Sequence, residues 1–200
     1  MKKKKLSTSR RDFLAKGALA AGSFYIVPRH VLGAGFTAPS DKLNLAAIGA
    51  GGKGSSDINN AYNEGVNNVV ALCDVDKNRA GDSIKRFPKA KFFTDFRVMF
   101  DELGKKIDAV TISAPDHIHG VAAMSAMQLG KHVYVQKPLT HNIYEARQLT
   151  EGARKYKVVS QMGNQGASHP GQVQLTKWFN EGVVGDIHTV YVWTNRPVWP

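Results

Sequence analysis

Six short runs rich in apolar residues, each followed by enough chain for a helix, occupy residues 43–162. This alternation restricts the fold more than any other feature. The runs Leu43–Ile48, Val69–Cys73, Lys91–Phe93, Ala109–Ile112, His132–Val135 and Val158–Met162 read as strands. Helices are expected over Ser55–Glu64, stopped by Gly65, and over Lys77–Phe87, halted by Pro88. A third runs from an Asp95 cap to Leu103, and a fourth covers Ile118–Leu129 up to Gly130. Asn142 and Glu145 have the spacing of a capping box that opens a fifth helix, Ile143–Tyr156. Strands without polar alternation, separated by helices, belong to a parallel sheet covered on both faces. The expected class is α/β, with a doubly wound parallel sheet.

The pattern changes near Gly163. Gln172–Glu181 reads as a helix, and Ile187–Trp193 (IHTVYVW) as a β-rich aromatic run. A single strand lacks the partners it needs. Residues 163–200 therefore read as the start of a second domain, and the chain as the N-terminal part of a longer protein.

The 200 residues carry 27 Lys+Arg against 16 Asp+Glu, a formal charge of +11. The excess is local. Residues 1–40 hold eight bases and one acid, whereas residues 41–200 hold 19 bases and 15 acids, only +4. That distribution argues against a nucleic-acid partner. Cys73 is the single cysteine, which excludes an intramolecular disulfide framework and a cysteine-cluster metal site.

The basic leader has the parts of an export signal. Lys2–Lys5 and Ser9-Arg10-Arg11-Asp12-Phe13-Leu14-Ala15-Lys16 precede a small apolar stretch, Gly17–Val27, which ends at Pro28. Eleven helical residues reach about half of a ~30 Å hydrocarbon core, so no stable membrane span is expected. The paired arginines with Phe13-Leu14 resemble the twin-arginine signal consensus. This resemblance implies residues 1–35 as a signal, 36–41 as a linker, a periplasmic or exported location, and the Tat machinery as a partner. The bland alternative is a disordered basic tail.

Three loops at strand ends carry the candidate chemistry. Gly49-Ala50-Gly51-Gly52-Lys53-Gly54 is a G-x-G-x-x-G between the first strand and a helix. Gly49 permits a tight turn, Gly51 lets the backbone approach a pyrophosphate, and Gly54 allows close helix–strand packing. The helix N-terminus beside Gly52 and Lys53 offers N–H groups to phosphate. Asp74, about 25 residues on, is placed to hold ribose hydroxyls and to repel a 2′-phosphate, which favours NAD. Lys77 and Arg79 leave NADP open.

The second loop, Ser113-Ala114-Pro115-Asp116-His117-Ile118-His119, follows the fourth strand. In such sheets ligands bind outside the carboxyl ends of the strands. His117 reads as solvated, and His119 as either structural or in contact with cofactor or substrate. A metal reading finds no third ligand at compatible spacing. The third loop is Gln136-Lys137-Pro138. The proline forces Lys137 into an extended conformation at a strand end, from which it either projects into a cleft or remains an ordinary surface lysine.

Together these loops resemble the Gfo/Idh/MocA oxidoreductase family, named for glucose–fructose oxidoreductase, inositol dehydrogenase and a rhizopine-catabolism protein. The landmarks are Gly49–Gly54, Cys73-Asp74-Val75-Asp76, Ala114–His119, Lys137-Pro138 and Asn180–Ile187. The resemblance implies a Rossmann-type NAD(P)-binding domain over residues 42–162. It also implies a second α+β domain with an open, mostly antiparallel sheet that mediates homo-oligomerisation. The family's usual Glu-Lys-Pro reads Gln136-Lys137-Pro138 here, which removes a negative charge beside Lys137. Gly163-Asn164-Gln165-Gly166 replaces the family's more usual arginine-phenylalanine segment, so the substrate pocket is expected to differ.

The implied activity is hydride transfer between a sugar, glycoside or polyol hydroxyl and a tightly bound NAD, or NADP. Ala114, Pro115, His119, Gln136, Lys137 and Pro138 join the glycine loop and Asp74 as cofactor contacts. His119, Lys137 and Asn164 face substrate, and Lys137 is the catalytic candidate. Two alternatives stand beside it: a redox-assisted, NAD-dependent glycoside hydrolase or lyase, and a non-catalytic binding protein that uses the dinucleotide structurally.

Overall fold

The computed structural model describes residues 38–194. The leader, with Arg10, Arg11 and the signal and linker boundaries up to residue 37, lies outside the described residues, as do residues 195–200. The strands are β1 (Asn44–Ile48), β2 (Asn68–Cys73), β3 (Lys91–Phe93), β4 (Ala109–Ile112), β5 (His132–Gln136) and β6 (Ser160–Gly163). The helices are α1 (Lys53–Tyr62), α2 (Gly81–Arg86), α3 (Phe96–Leu103), α4 (Asp116–Gln128), α5 (Ile143–Tyr156) and α6 (Pro170–Asn180). Six strands form one sheet in the order β3-β2-β1-β4-β5-β6. The chain moves outward from β1 to β3 and then resumes beside β1, the reversal that defines a doubly wound sheet. The pairs β1/β2, β2/β3 and β5/β6 are parallel.

Two compact units divide the chain after Thr111. In the first, Leu45, Ala47 and Leu72 on the strands meet Ile58 of α1 and Phe87 after α2, all buried. Phe87 also meets Tyr62 edge-on, with ring centroids 5.2 Å apart. Burying large side chains of this kind contributes roughly 1.5–3 kcal/mol each. Small residues on the strands (Ala46, Ala47, Ala71) let the helices approach closely. In the second unit, α4 and α5 close up on glycine. A Cβ at Gly152 of α5 would lie 3.0 Å from the Met124 Cε on α4.

Two helices differ from the sequence expectation in ways the local geometry explains. The helix expected over Lys77–Phe87 forms only over Gly81–Arg86. Asp76 Oδ1 accepts from the backbone N–H groups of Asn78 (2.9 Å) and Arg79 (3.1 Å), which holds residues 76–79 as a turn. Asn142 caps α5 by accepting from Glu145 N at 2.9 Å, as its spacing predicts. The return half of the box is displaced by one residue, for Glu145 Oε2 accepts from His141 N at 3.2 Å instead of from the cap itself.

The expected β-rich run Ile187–Trp193 is not a strand. Residues 187–193 join no sheet ladder among the described residues, and Val192 and Trp193 are 92% and 83% exposed. β-propensity supplies no ladder partner, and without one no strand forms. The antiparallel sheet of a second domain is therefore not seen among the described residues. No helix there is long and apolar enough to cross a membrane.

Candidate cofactor and active site

The first unit presents the glycine loop. Gly49 (φ +78°) turns the chain off β1, and its N–H and that of Ala50 donate to the Cys73 carbonyl at 2.8 and 3.2 Å. This ties the loop to the end of β2. Gly52 (φ +53°, ψ −120°) precedes α1, a conformation that favours glycine. No side chain caps α1, so N–H groups at its start remain available to a phosphate. Gly54 is buried within the first turn of α1.

Packing within the protein adds a second reason for glycine at position 51, beside the expected approach to a pyrophosphate. A Cβ there would lie 2.7 Å from both the Cγ and the carbonyl oxygen of Arg79. The space is filled by the 76–80 turn of the protein itself. Arg79 also brings its guanidinium to within 3.2 Å of a Cβ built on Gly52, so its cation stands over the loop.

Asp74, expected to hold ribose hydroxyls, spends its carboxylate partly on the backbone. Oδ2 accepts from Gly51 N at 2.9 Å and Oδ1 from Asp76 N at 3.0 Å. Each oxygen retains acceptor capacity for a hydroxyl. Lys53, expected among the cofactor contacts as part of the glycine loop, pairs its ammonium with Asp57 Oδ1 at 2.7 Å, where the carboxylate side chain is only 5% exposed. Sequence reasoning missed Ser83. Its buried hydroxyl donates to the Ala50 carbonyl at 2.6 Å and braces the loop from α2, 33 residues away. Nothing in a lone serine on a short helix announces that contact.

Cys73, at the end of β2, has its thiol pushed up to about 12 by burial first and by the negative charges of Asp95 and Asp74 second. It is an inert core thiol. Asp95 caps α3 and is drawn down to about 2 by hydrogen bonds from the Arg97 side chain and backbone.

The second unit presents the other two loops. Ala114 and Pro115 lead into α4, with Pro115 as the residue before its first turn. His117 is exposed, consistent with a solvated histidine. His119 is 1% exposed, and both ring nitrogens face backbone carbonyls, Nδ1 at 2.7 Å from Pro138 O and Nε2 at 2.7 Å from Ala114 O. The ring thus meets the loops after β4 and β5, beside the expectation that it contacts cofactor or substrate.

Gln136, expected as a cofactor contact, is buried, and its Oε1 accepts from Lys137 N at 3.1 Å. Its amide shapes the turn instead of facing solvent. The Lys137–Pro138 peptide is cis. Lys137 and Pro138 are exposed, and among the described residues the Lys137 ammonium makes no ion pair. In register, Gln136 sits beside Gly163 on β6, and exposed Asn164 follows directly. No three His, Cys, Asp or Glu side chains among the described residues group to hold a metal.

A doubly wound parallel sheet with an uncapped helix after a glycine turn defines a dinucleotide-binding protein of the Rossmann type. Residues 43–164 match the Gfo/Idh/MocA family, described as an oxidoreductase family with an NAD-binding Rossmann fold, and the chain belongs to it. It is 28% identical over 147 residues to inositol 2-dehydrogenase of Salmonella paratyphi B, covering 72% of this chain and 43% of that one. A glycosyl hydrolase family 109 protein of Solibacter usitatus is 33% identical over 160 residues, covering 71% and 35% respectively. The solved WlbA dehydrogenase of Thermus thermophilus, in complex with NAD and alpha-ketoglutarate, superposes with a TM-score of 0.62 at 26% identity, covering 70% of this chain and 47% of that one. The chain spans less than half the length of the curated relatives it matches.

Proposed function

We propose that the protein is an exported, NAD(P)-dependent oxidoreductase acting on a hydroxyl of a sugar, glycoside or polyol. The observation that carries this reading is Lys137, exposed on the β5 turn and in no ion pair among the described residues, in a chain whose family is NAD-binding. A relative that is an inositol 2-dehydrogenase supports the substrate class. Gly49, Gly51, Gly52 and Gly54 shape the phosphate loop, and the free N–H groups of α1 hold the pyrophosphate. Asp74 holds the loop through Gly51 and turns its remaining lone pairs toward the ribose.

The nicotinamide ring supplies the hydride acceptor when bound. Lys137 orients the substrate hydroxyl and takes its proton. An aliphatic ammonium is ordinarily protonated at neutral pH, so this role needs the desolvation that a covered site provides. Ala114 and Pro115 shape the adjacent wall, and Asn164 lies one residue past the strand that pairs with the Lys137 strand. The leader sends the protein out by the twin-arginine route. That route carries folded proteins, which suits a cofactor acquired in the cytoplasm and retained. Oligomerisation through a second domain belongs to the same proposal.

The test begins with mass spectrometry of the denatured, purified full-length protein, which is expected to release NAD or NADP. Sugars and polyols are then screened for single-turnover reduction of the bound cofactor. Lys137→Ala should slow that reduction by roughly 100-fold while retaining cofactor. Parental rates in Lys137→Ala would make Lys137 a spectator. The relative in glycosyl hydrolase family 109 favours a second reading, redox-assisted hydrolysis. Release of free sugar from a glycoside without net NADH would identify it.

A further inference from the structure

The excess positive charge of residues 41–200 is concentrated beside the glycine loop. Residues 74–97 hold seven bases and four acids, +3 of the +4 found over 41–200. The acids are Asp74, Asp76, Asp82 and Asp95. Asp95 pairs with Arg97, and Lys91 pairs with Glu102 of α3. Lys77, Arg79, Lys85, Arg86 and Lys89 are exposed and form no ion pair among the described residues. The packing of α2 does not use them. Ser83 and Phe87 are buried and Ile84 packs on the core, which leaves Lys85, Arg86 and Lys89 to solvent.

These cations stand near the loop without touching it, Arg79 excepted. Ser83 ties α2 to the Ala50 carbonyl at 2.6 Å. Lys85 and Arg86 follow two and three residues later, a rise of about 3–4.5 Å along the helix. Lys89 lies in the turn that leads to β3, whose Lys91 is in register with Ala71, two residues before the end of β2. Arg79 Nη2 would be 3.2 Å from a Cβ on Gly52. At separations on the order of 10 Å, charges act through water, and more strongly once the Debye length grows to ~30 Å at 0.01 M salt.

We propose that this basic face of α2 and its flanking turns is an electrostatic capture surface for dinucleotides, and that it favours NADP in opposition to Asp74. The 2′-phosphate of NADP adds about two negative charges at pH 7. Exposed cations beside a site raise the local concentration of an anionic ligand and speed its association. Asp74 acts at contact, where a carboxylate repels a 2′-phosphate. Lys85, Arg86 and Lys89 act from a distance and attract the more highly charged cofactor more. Lys77 and Arg79 offset Asp74 and Asp76 in charge, so the three cations of α2 and its following turn set the salt dependence of cofactor choice. This surface presupposes the NAD(P)-binding reading of the glycine loop and is independent of Lys137 and of the substrate.

Full-length protein with its bound cofactor is brought to equilibrium with an equimolar excess of NAD and NADP at ionic strengths of ~10 and ~150 mM. Mass spectrometry of the denatured protein then reads the ratio of NADP to NAD retained. In the parent that ratio should be about fivefold higher at the lower salt. With Lys85→Gln, Arg86→Gln and Lys89→Gln combined, it should differ by less than about twofold between the two salts. A control with Arg154→Gln, Lys155→Gln and Lys157→Gln removes the same charge from the end of α5 and should behave as the parent. Where bound cofactor does not exchange, each protein is refolded from urea in the same mixture and the captured ratio is read in the same way. Equal salt dependence in the parent and the α2 variant overturns the capture surface. So does a control that loses the dependence equally, for the effect would then belong to net charge. If the parent carries no dinucleotide and takes up none, the cofactor reading fails and the capture surface falls with it.

Discussion

Replacing Gly51 with alanine separates two reasons for a glycine at this position. The added methyl would sit 2.7 Å from the Arg79 Cγ and carbonyl oxygen and 2.9 Å from its carbonyl carbon. Ordinary contact between such atoms begins near ~3.5 Å, so about 0.8 Å of movement is required. Two of the three atoms are backbone, in a turn held by Asp76, and cannot swing aside. Overpacking of this kind costs roughly 1–3 kcal/mol. Moving the loop also stretches the Gly51 N to Asp74 Oδ2 bond of 2.9 Å. A hydrogen bond to a charged group contributes about 1.5–3 kcal/mol. The two effects share one displacement, so their combined cost is about 3 kcal/mol, or a urea midpoint lower by ~1.5 M at an m-value near 2 kcal/mol/M. The assay is urea unfolding of cofactor-free protein, with Gly104→Ala as the control. A Cβ at Gly104 meets nothing within 4 Å, and this variant should stay within about 0.5 kcal/mol of the parent. If cofactor-free Gly51→Ala is as stable as the control yet loses NAD, the glycine serves the pyrophosphate alone and the Arg79 argument fails.

Three further outcomes are expected. Asp74→Asn keeps an acceptor for Gly51 N and removes the charge, so titration calorimetry should show NADP gaining on NAD by about tenfold, while Asp74→Ala weakens both; equal losses for the two cofactors in both variants would take Asp74 off the ribose. Cys73, its thiol raised to about 12, should resist thiol reagents at pH 7–8 until urea unfolds the protein. The stability gained from keeping that thiol neutral is fully present below its unfolded value near 9 and is lost as pH rises toward about 12, so between pH 9 and 12 the stability of Cys73→Ala should fall less steeply than that of the parent. Arg10 and Arg11 both replaced by Lys should leave folded protein in the cytoplasm, which cell fractionation will read; unchanged export would remove the twin-arginine route.

Sequence by itself determined the elements whose causes are local. The strands β1 to β6 emerge within two residues of their expected bounds, because apolar runs between glycine and proline punctuation act over a few residues. Asp95 and Asn142 cap the helices they precede for the same reason, each side chain reaching a backbone N–H two or three residues on. The glycine loop was legible too, since a turn, a strand end and a helix start are all encoded within six residues.

Tertiary structure alone decided what braces the site. Ser83 reaches Ala50 across 33 residues, Asp74 reaches Gly51 across 23, and His119 reaches Pro138 across 19. Each bond exists because helices and strands pack at fixed distances, and no periodicity records that. The fate of Ile187–Trp193 follows the same logic. Its β-propensity is plain in the sequence, but a strand is a relation between two segments, and only the folded chain says whether the second is there.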